Sequence, residues 1–370
     1  MRRLRRPLEQ SRSESEPQAR RRLPARGGAS GGRVVVAAGR AARGRAARGV
    51  VTTAAALALA LTASGCVTVH GELELLPPAS REEAARALAE FTAAYNQADK
   101  KHDPALASGR VTGPFGAINQ AGLRARAVTA PGGNPNHLPL ELTDARFALP
   151  RKAGWPRWFL ADADSNRDVD EGAADNRWLL TFVRNGPDQP WEVAHLVILG
   201  TATVPEFAEE EGYAVPVGGG EGALAVAPKD LGARYVAFLK DGEQGPLAAG
   251  PHTTRWRADR LKAAERPGLA TQYLDQVADQ GDFAPLGLRT KDGGALVFFA
   301  TRYFERQTAA QGYRPKVAPE VKALMTGEVT RTVTKEWVSD QAALVEPAGT
   351  DRDGVVVLGR LQGVVAAEGS

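Results

Sequence analysis

Two runs decide the fold class: Arg177-Trp-Leu-Leu-Thr-Phe-Val-Arg184 and, after Asn185-Gly186, Trp191-Glu-Val-Ala-His-Leu-Val-Ile-Leu199. Both are rich in β-branched and aromatic residues and are bounded by turn formers, as strands with a buried face are. Asn-Gly suits the positive φ of a hairpin turn, while Pro187 and Pro190 lengthen the loop beyond two residues. An antiparallel hairpin is expected here.

Working outward, Leu140, Leu142 and Arg146-Phe147 open an earlier strand, and Trp155–Ala161 makes another. Before them, Ser80-Arg-Glu-Glu83 reads as a capping box, the Ser80 hydroxyl accepting from the Glu83 N–H while Glu83 reaches back. Ala84, Leu88, Phe91 and Tyr95, spaced 4, 3 and 4, give the following helix one apolar face. Residues 104–137 are rich in Gly, Pro and Asn, with one short element at Leu123–Val128. Residues 206–227, centred on Val217-Gly218-Gly219-Gly220-Glu221-Gly222, read as a linker.

The pattern then restarts. Pro228 suits a first helical turn, and Leu231, Tyr235, Phe238 and Leu239 fall at i, i+4, i+7 and i+8. Further helices are expected over Thr253–Glu265 and Leu269–Asp279. Strands are expected at Phe283–Thr290, Ala295–Arg306, Glu328–Asp340, Ala342–Glu346 and Val355–Ala366, with Asp292-Gly293-Gly294 as a second hairpin turn. Each half runs helix first, then strands, which argues for α+β with antiparallel curved sheets over 80–205 and 228–370.

The first 65 residues are of another kind. They hold 14 Arg, no Lys and 3 Glu; taking these from the chain's 47 basic and 43 acidic residues leaves 33 and 40 for 66–370. The body is therefore acidic, near −7, and the overall charge of +4 resides in the leader. No basic stripe follows residue 66, so nucleic acid is not an expected partner.

Residues 1–49 read as an Arg-rich, low-complexity n-region. Residues 50–65 begin with the uncharged run Val50–Ala63, too short for a comfortable membrane span and right for a signal-peptide core. Ala63-Ser64-Gly65 then lead into Cys66, the chain's only cysteine, and 66–79 reads as a tether closing on Pro77-Pro78. One thiol makes no internal disulfide. Small residues before a lone Cys resemble the bacterial lipobox, with Ala63 where Leu is usual. The resemblance implies a signal peptide, diacylglyceryl and palmitate-type acylation of Cys66, and a place on the outer face of the cell membrane.

Candidate chemistry is sparse. Asp162-Ala-Asp164-Ser-Asn166-Arg-Asp168-Val-Asp170 places oxygen ligands at every second residue, as a calcium loop begins. An EF-hand also needs Gly at its sixth position and Glu at its twelfth, and these are Arg167 and Ala173. The bland reading is a solvated acidic hairpin loop, the functional one a weak calcium site, and no other cofactor is expected. The body's His70, His102, His137, His195 and His252 form no zinc-type pair, and His195, alternating with Val193 and Val197, reads as a sheet residue. No Gly-x-Ser-x-Gly elbow occurs. Asp282 with Glu305, or Glu141 with Asp144, are candidate catalytic carboxylates that only folding could bring together. Trp155, Trp158, Trp178 and Trp191 read first as sheet core, and second as the wall of a cleft for a sugar or lipid-like ligand.

Helix-then-curved-sheet halves of this size look like the NTF2-like or cystatin-like cone folds. Leader, lipobox and tandem halves together resemble uncharacterised actinobacterial secreted lipoproteins. That resemblance implies localisation and fold but no chemistry. The expectation is a non-enzymatic envelope protein that binds another envelope protein or a small ligand. A carrier of an apolar or sugar-like ligand in a cone pocket stands second, and a secreted hydrolase third.

Overall fold

A computed structural model describes residues 74–169, 171–218, 223–243, 245–350 and 354–370. The described residues belong to one compact unit. The lipobox residues Ala63, Ser64, Gly65 and Cys66 lie outside the described residues.

Helix α1 spans Arg81–Lys101. Ser80 caps it as expected, its Oγ accepting from the Glu83 N–H at 3.1 Å. Glu83 does not reach back: its carboxylate takes the Arg184 guanidinium at 2.9 Å and the Trp191 indole N–H at 3.0 Å. Helix α2 spans Gly113–Thr129, where a short element was expected near its end. Pro114 at its first turn and the buried Phe115, Ala121, Leu123 and Ala125 make it an ordinary buried helix.

Four antiparallel strands follow in sequence order: β1 (Leu142–Ala148), β2 (Arg157–Ser165), β3 (Asn176–Arg184) and β4 (Glu192–Gly200). The β3–β4 hairpin forms across Asn185-Gly186 as read from sequence. Strand β2 runs further than expected, so Asp162 and Asp164 stand on a strand and not in a solvated loop.

The described parts of the segment read as a linker are hydrogen-bonded to the rest of the fold. It carries the small hairpin of β5 (Glu209–Glu210) and β6 (Tyr213–Ala214). Phe207 bridges to Thr290, Pro216 to Leu288 and Leu224 to Pro347.

The second half opens with α3 (Leu231–Asp241), whose Leu231, Tyr235, Phe238 and Leu239 are all buried as their spacing demands. Helix α4 (Trp256–Ala264) leads through β7 (Glu265–Arg266) into β8 (Leu269–Ala278). The helix expected over Leu269–Asp279 is thus a strand. It pairs with β10 from Leu269↔Ala309 to Ala278↔Ala300, and that ladder outweighs a spacing of apolar residues that also fits a helix. Strands β9 (Leu286–Arg289) and β10 (Ala295–Ala309) form the hairpin announced by Asp292-Gly293-Gly294. Helix α5 (Pro319–Ala323), β11 (Met325–Gly327), β12 (Thr332–Val345) and β13 (Val355–Gly369) complete the chain. Where two strands were expected around Gln341, β12 is continuous. The larger sheet runs β11-β13-β12-β10-β8-β7, with β9 on β10; it is antiparallel except for the parallel pair β11–β13.

Packing follows from strand alternation. One face of the small sheet carries Phe159, Leu180 and Phe182 against Leu88 and Phe91 of α1 and Phe115 of α2. One face of the large sheet carries Val297, Phe299 and Val345 against α3. The two remaining faces meet: Leu160, Leu179, Val197 and Leu199 pack on Leu296, Phe298 and Ala342. The result is four layers, helix–sheet–sheet–helix, with β8 left partly uncovered: its Leu274 is 59% exposed. Each fully buried Leu or Phe contributes ~2 kcal/mol of transfer free energy to that sandwich. Gly359 of β13 permits the close approach, since a Cβ there would stand 2.5 Å from Val197 Cγ1 and 2.7 Å from Leu199 Cδ2.

Candidate functional site

The strongest candidate is a cleft of about 450 Å³ beneath α2. Tyr95 of α1, Phe115 and Ile118 of α2, Trp178 of β3, and Leu196 and Ile198 of β4 supply one wall. Val321 and Leu324 by α5 with Leu361 and Val364 of β13 supply the other, so both halves contribute. Ile198, on the edge strand β4 of the small sheet, is 43% exposed. Two polar groups break the apolar lining. Asn119 Oδ1 and Arg126 Nε are buried atoms without a hydrogen-bond partner. Arg126 leans toward Asp99 at 3.7 Å. Burial works against the Asp99 carboxylate, but hydrogen bonds from His137 and Asn134 and the Arg126 charge hold its pKa below the ordinary value. Burial, and then the Asp99 charge, push the Tyr95 phenol upward, so it stays protonated at neutral pH. The cleft is an apolar pocket with an amide and a guanidinium at its margin, of the size and character of small-molecule sites.

A second polar centre sits on the helix-covered face of the large sheet. Arg260 of α4 forks onto Asp275 of β8 with both nitrogen–oxygen distances at 2.9 Å. The rings of Tyr273, Tyr303 and Trp256 surround its guanidinium at 4.2, 5.0 and 5.8 Å. Tyr303 stacks on Trp337, and the Glu305 carboxylate accepts from Lys335, the Trp337 indole and Gln307. Arg360 lies 3.6 Å over Trp256. Arg260 and Lys335 are each paired with a carboxylate, Arg360 is held over the Trp256 ring, and the centre ties α4 to three strands.

The residues singled out from sequence are scattered. Asp162 pairs with Arg177 at 2.6 Å, and Arg177 also holds Asp144 at 2.9 Å. That contact, with the nearby charges of Arg146 and Arg177, lowers the Asp144 pKa. Asp164 accepts from the Ser165 N–H, Asn166 from the Glu141 N–H, and Asp168 from the Asn176 N–H; Asp170 lies outside the described residues. Among the described residues no group of three or more His, Cys, Asp or Glu is placed to hold a metal. Asp282 accepts from Thr112 at 2.6 Å and from Asn185 at 3.1 Å, and shares no hydrogen-bond partner with Glu305. Trp158, Trp178 and Trp191 are core residues, and only Trp155 is exposed.

His195 is a sheet residue, as its alternation indicated, with a partner that no motif announced. Its Nδ1 stands 2.6 Å from Asp340 Oδ1 in the layer between the sheets, and both side chains are fully buried. His137 pairs with Asp99, and His102 with the Ala130 carbonyl at 2.9 Å. Asn119, Arg126, Arg260 and Asp275 were missed in sequence. The step-two spacing Thr271-Tyr273-Asp275 was the sign that could have revealed the last of these.

No helix of the described residues is long and apolar enough to cross a membrane. No solved structure matches the chain. An uncharacterized lipoprotein of Streptomyces avermitilis is 50% identical over 336 residues, 88% of this chain and 99% of its own length. An uncharacterized lipoprotein of Streptomyces coelicolor is 50% identical over 320 residues, 86% of this chain and 94% of its own. A family model described as a domain of unknown function, DUF8094, matches residues 76–369. The chain therefore belongs to that family.

Proposed function

We propose that the protein is a lipid-anchored envelope protein of binding or structural type, held at the extracytoplasmic face through Cys66. The observation that carries this reading is the placement of the only cysteine directly after an uncharged apolar run and three small residues. The relatives' description as lipoproteins over almost their whole length supports it. A diacylglyceryl group together with a further acyl chain anchors firmly, where one chain would bind only marginally. Among the described residues the first bridged into the body is Leu76, paired with Lys152. The nine residues between Cys66 and Leu76 let the two ends stand ~35 Å apart when extended, enough to hold the body clear of the headgroups. In cells fed an alkyne fatty acid, the wild-type chain should take up label and Cys66→Ala should not. Equal labelling of the two would refute the anchor.

Each half, with its helices laid over a sheet, reads as a cone of the NTF2-like or cystatin-like kind. A carrier role is favoured as a second reading by the apolar cleft under α2. Its two unpartnered polar atoms suit a small amphipathic molecule, the apolar part along Ile118 and Leu361 and the polar end at Asn119 and Arg126. Native mass spectrometry of protein from the native host tests this. A reproducible extra mass supports a carrier, and a clean apo mass argues for a protein partner instead.

A further inference from the structure

A separate cleft, of about 320 Å³, opens at the β8 edge of the large sheet between the end of α3 and the flank of α4. Its floor is the Arg260–Asp275 fork, which neutralises itself. Two more cations line it, Lys240 and Arg257, and neither has a carboxylate partner among the described residues. Arg257 is held in place without one. Its Nε donates to the Leu239 carbonyl at 3.2 Å, and its guanidinium lies against Gly242, where a Cβ would come within 2.8 to 3.0 Å of it. Gly242, at φ +81°, ends α3 in the left-handed conformation that leaves this room. The rest of the guanidinium donates to no protein atom among the described residues. Thr271, 8% exposed, also lines the cleft, and its Oγ1 has no hydrogen-bond partner. Leu261 and Ala264 of α4 form an apolar flank, with Leu261 53% exposed.

A local excess of positive charge in a body near −7 runs against the average, and it coincides with a buried hydroxyl that lacks a partner. The geometry points to a binding site for a small organic oxyanion, a carboxylate or phosphate that carries an apolar group. Its oxygens take Lys240, the Arg257 guanidinium and Thr271 Oγ1, and its apolar part lies along Leu261 and Ala264. Charge-assisted hydrogen bonds to a fixed guanidinium are the strong kind, so the head supplies orientation and the flank supplies area. This site is independent of the Cys66 anchor and of the cleft under α2.

The test is calorimetric titration of the purified full chain with inorganic phosphate, phenyl phosphate and benzoate, against sodium chloride at matched ionic strength. Saturable binding of phenyl phosphate or benzoate is expected, at least tenfold tighter than inorganic phosphate. The preferred one of the two names the head group. Lys240→Gln combined with Thr271→Val should weaken binding at least tenfold, while thermal unfolding confirms that the variant remains folded. Heats no larger than those of chloride, or undiminished binding by the folded variant, would overturn the site. Equal affinity for phosphate and phenyl phosphate would overturn the apolar flank's part in it.

Discussion

His195 of β4 and Asp340 of β12 face each other at 2.6 Å in the layer between the two sheets, where neither side chain has any solvent-accessible surface. Asp340 Oδ2 also accepts from the Leu196 N–H at 2.9 Å, so one carboxylate ties a strand of one half to a strand of the other. Removing one partner of such a pair leaves the other buried and uncompensated. Asp340→Ala should therefore cost ~3–5 kcal/mol in urea unfolding. A loss within error of zero would show that the pair does not hold the sheets together.

Burial pushes the Asp340 carboxyl above its ordinary 3.8, and the facing His195 and the Leu196 N–H offset this only in part. A raised folded-state pKa means that the native chain binds this proton more tightly than the unfolded chain. The proton-linked part of Asp340's contribution to stability is then fully present below about pH 3.8 and is lost as pH rises through the raised value. Asp340→Asn does not titrate. The stability of the wild type relative to this variant should be greatest in acid and shrink as pH rises, which urea midpoints at a series of pH values would follow. A gap that widened with pH would contradict the assignment.

Gly359 places two sheets closer than any side chain allows, with Val197 Cγ1 at 2.5 Å from the position of its missing Cβ. Gly359→Val should overpack that layer and destabilise by ~1–3 kcal/mol. Differential scanning calorimetry would read this as a lowered midpoint; an unchanged midpoint would mean that the sheets separate freely.

Arg260→Lys keeps the charge but loses the fork onto Asp275 and the contacts with Tyr273 and Tyr303. A lysine is a point charge where a planar, bidentate group is required. We expect a destabilisation of ~2–4 kcal/mol, approaching the cost of breaking a buried pair. Arg146→Lys, on an exposed guanidinium, should cost less than ~0.5 kcal/mol in the same assay.

Gly122 lines the cleft under α2, and a side chain there would meet only the Arg126 guanidinium, at 3.4 Å. Gly122→Leu should fill the cleft and gain up to ~1 kcal/mol of helix propensity. If a molecule copurifies with the wild type, this variant should lose it while remaining at least as stable. Retention of the molecule would place it elsewhere.

The helices α1 and α3 were legible because their apolar residues follow one face and their caps are local. The β3–β4 hairpin was legible because Asn185-Gly186 punctuates two alternating runs. Helix α2 was hidden by Gly113, Pro114, Gly116 and Gly122, which read as loop; a close approach requires the first of these, where a Cβ would stand 2.4 Å from the Asp282 carbonyl oxygen. Strand β8 was mistaken because Leu269, Tyr273, Leu274 and Val277 also fit a helical spacing, and only its partner β10 decides between the two. The break expected in β12 came from Asp340-Gln341, polar residues in mid-strand. Their partners lie 40 and 145 residues away, in Thr301 and His195, and no local pattern carries such information. The cleft under α2 combines residues from α1 to β13, so it exists only once both halves have packed.

The central claim, anchorage through Cys66, is tested most directly by fractionating cells that express the wild type or Cys66→Ala. The account predicts processed wild-type protein in the membrane fraction, and the variant either released from membranes or retained as the longer precursor. Processed Cys66→Ala protein that still sediments with membranes would contradict it.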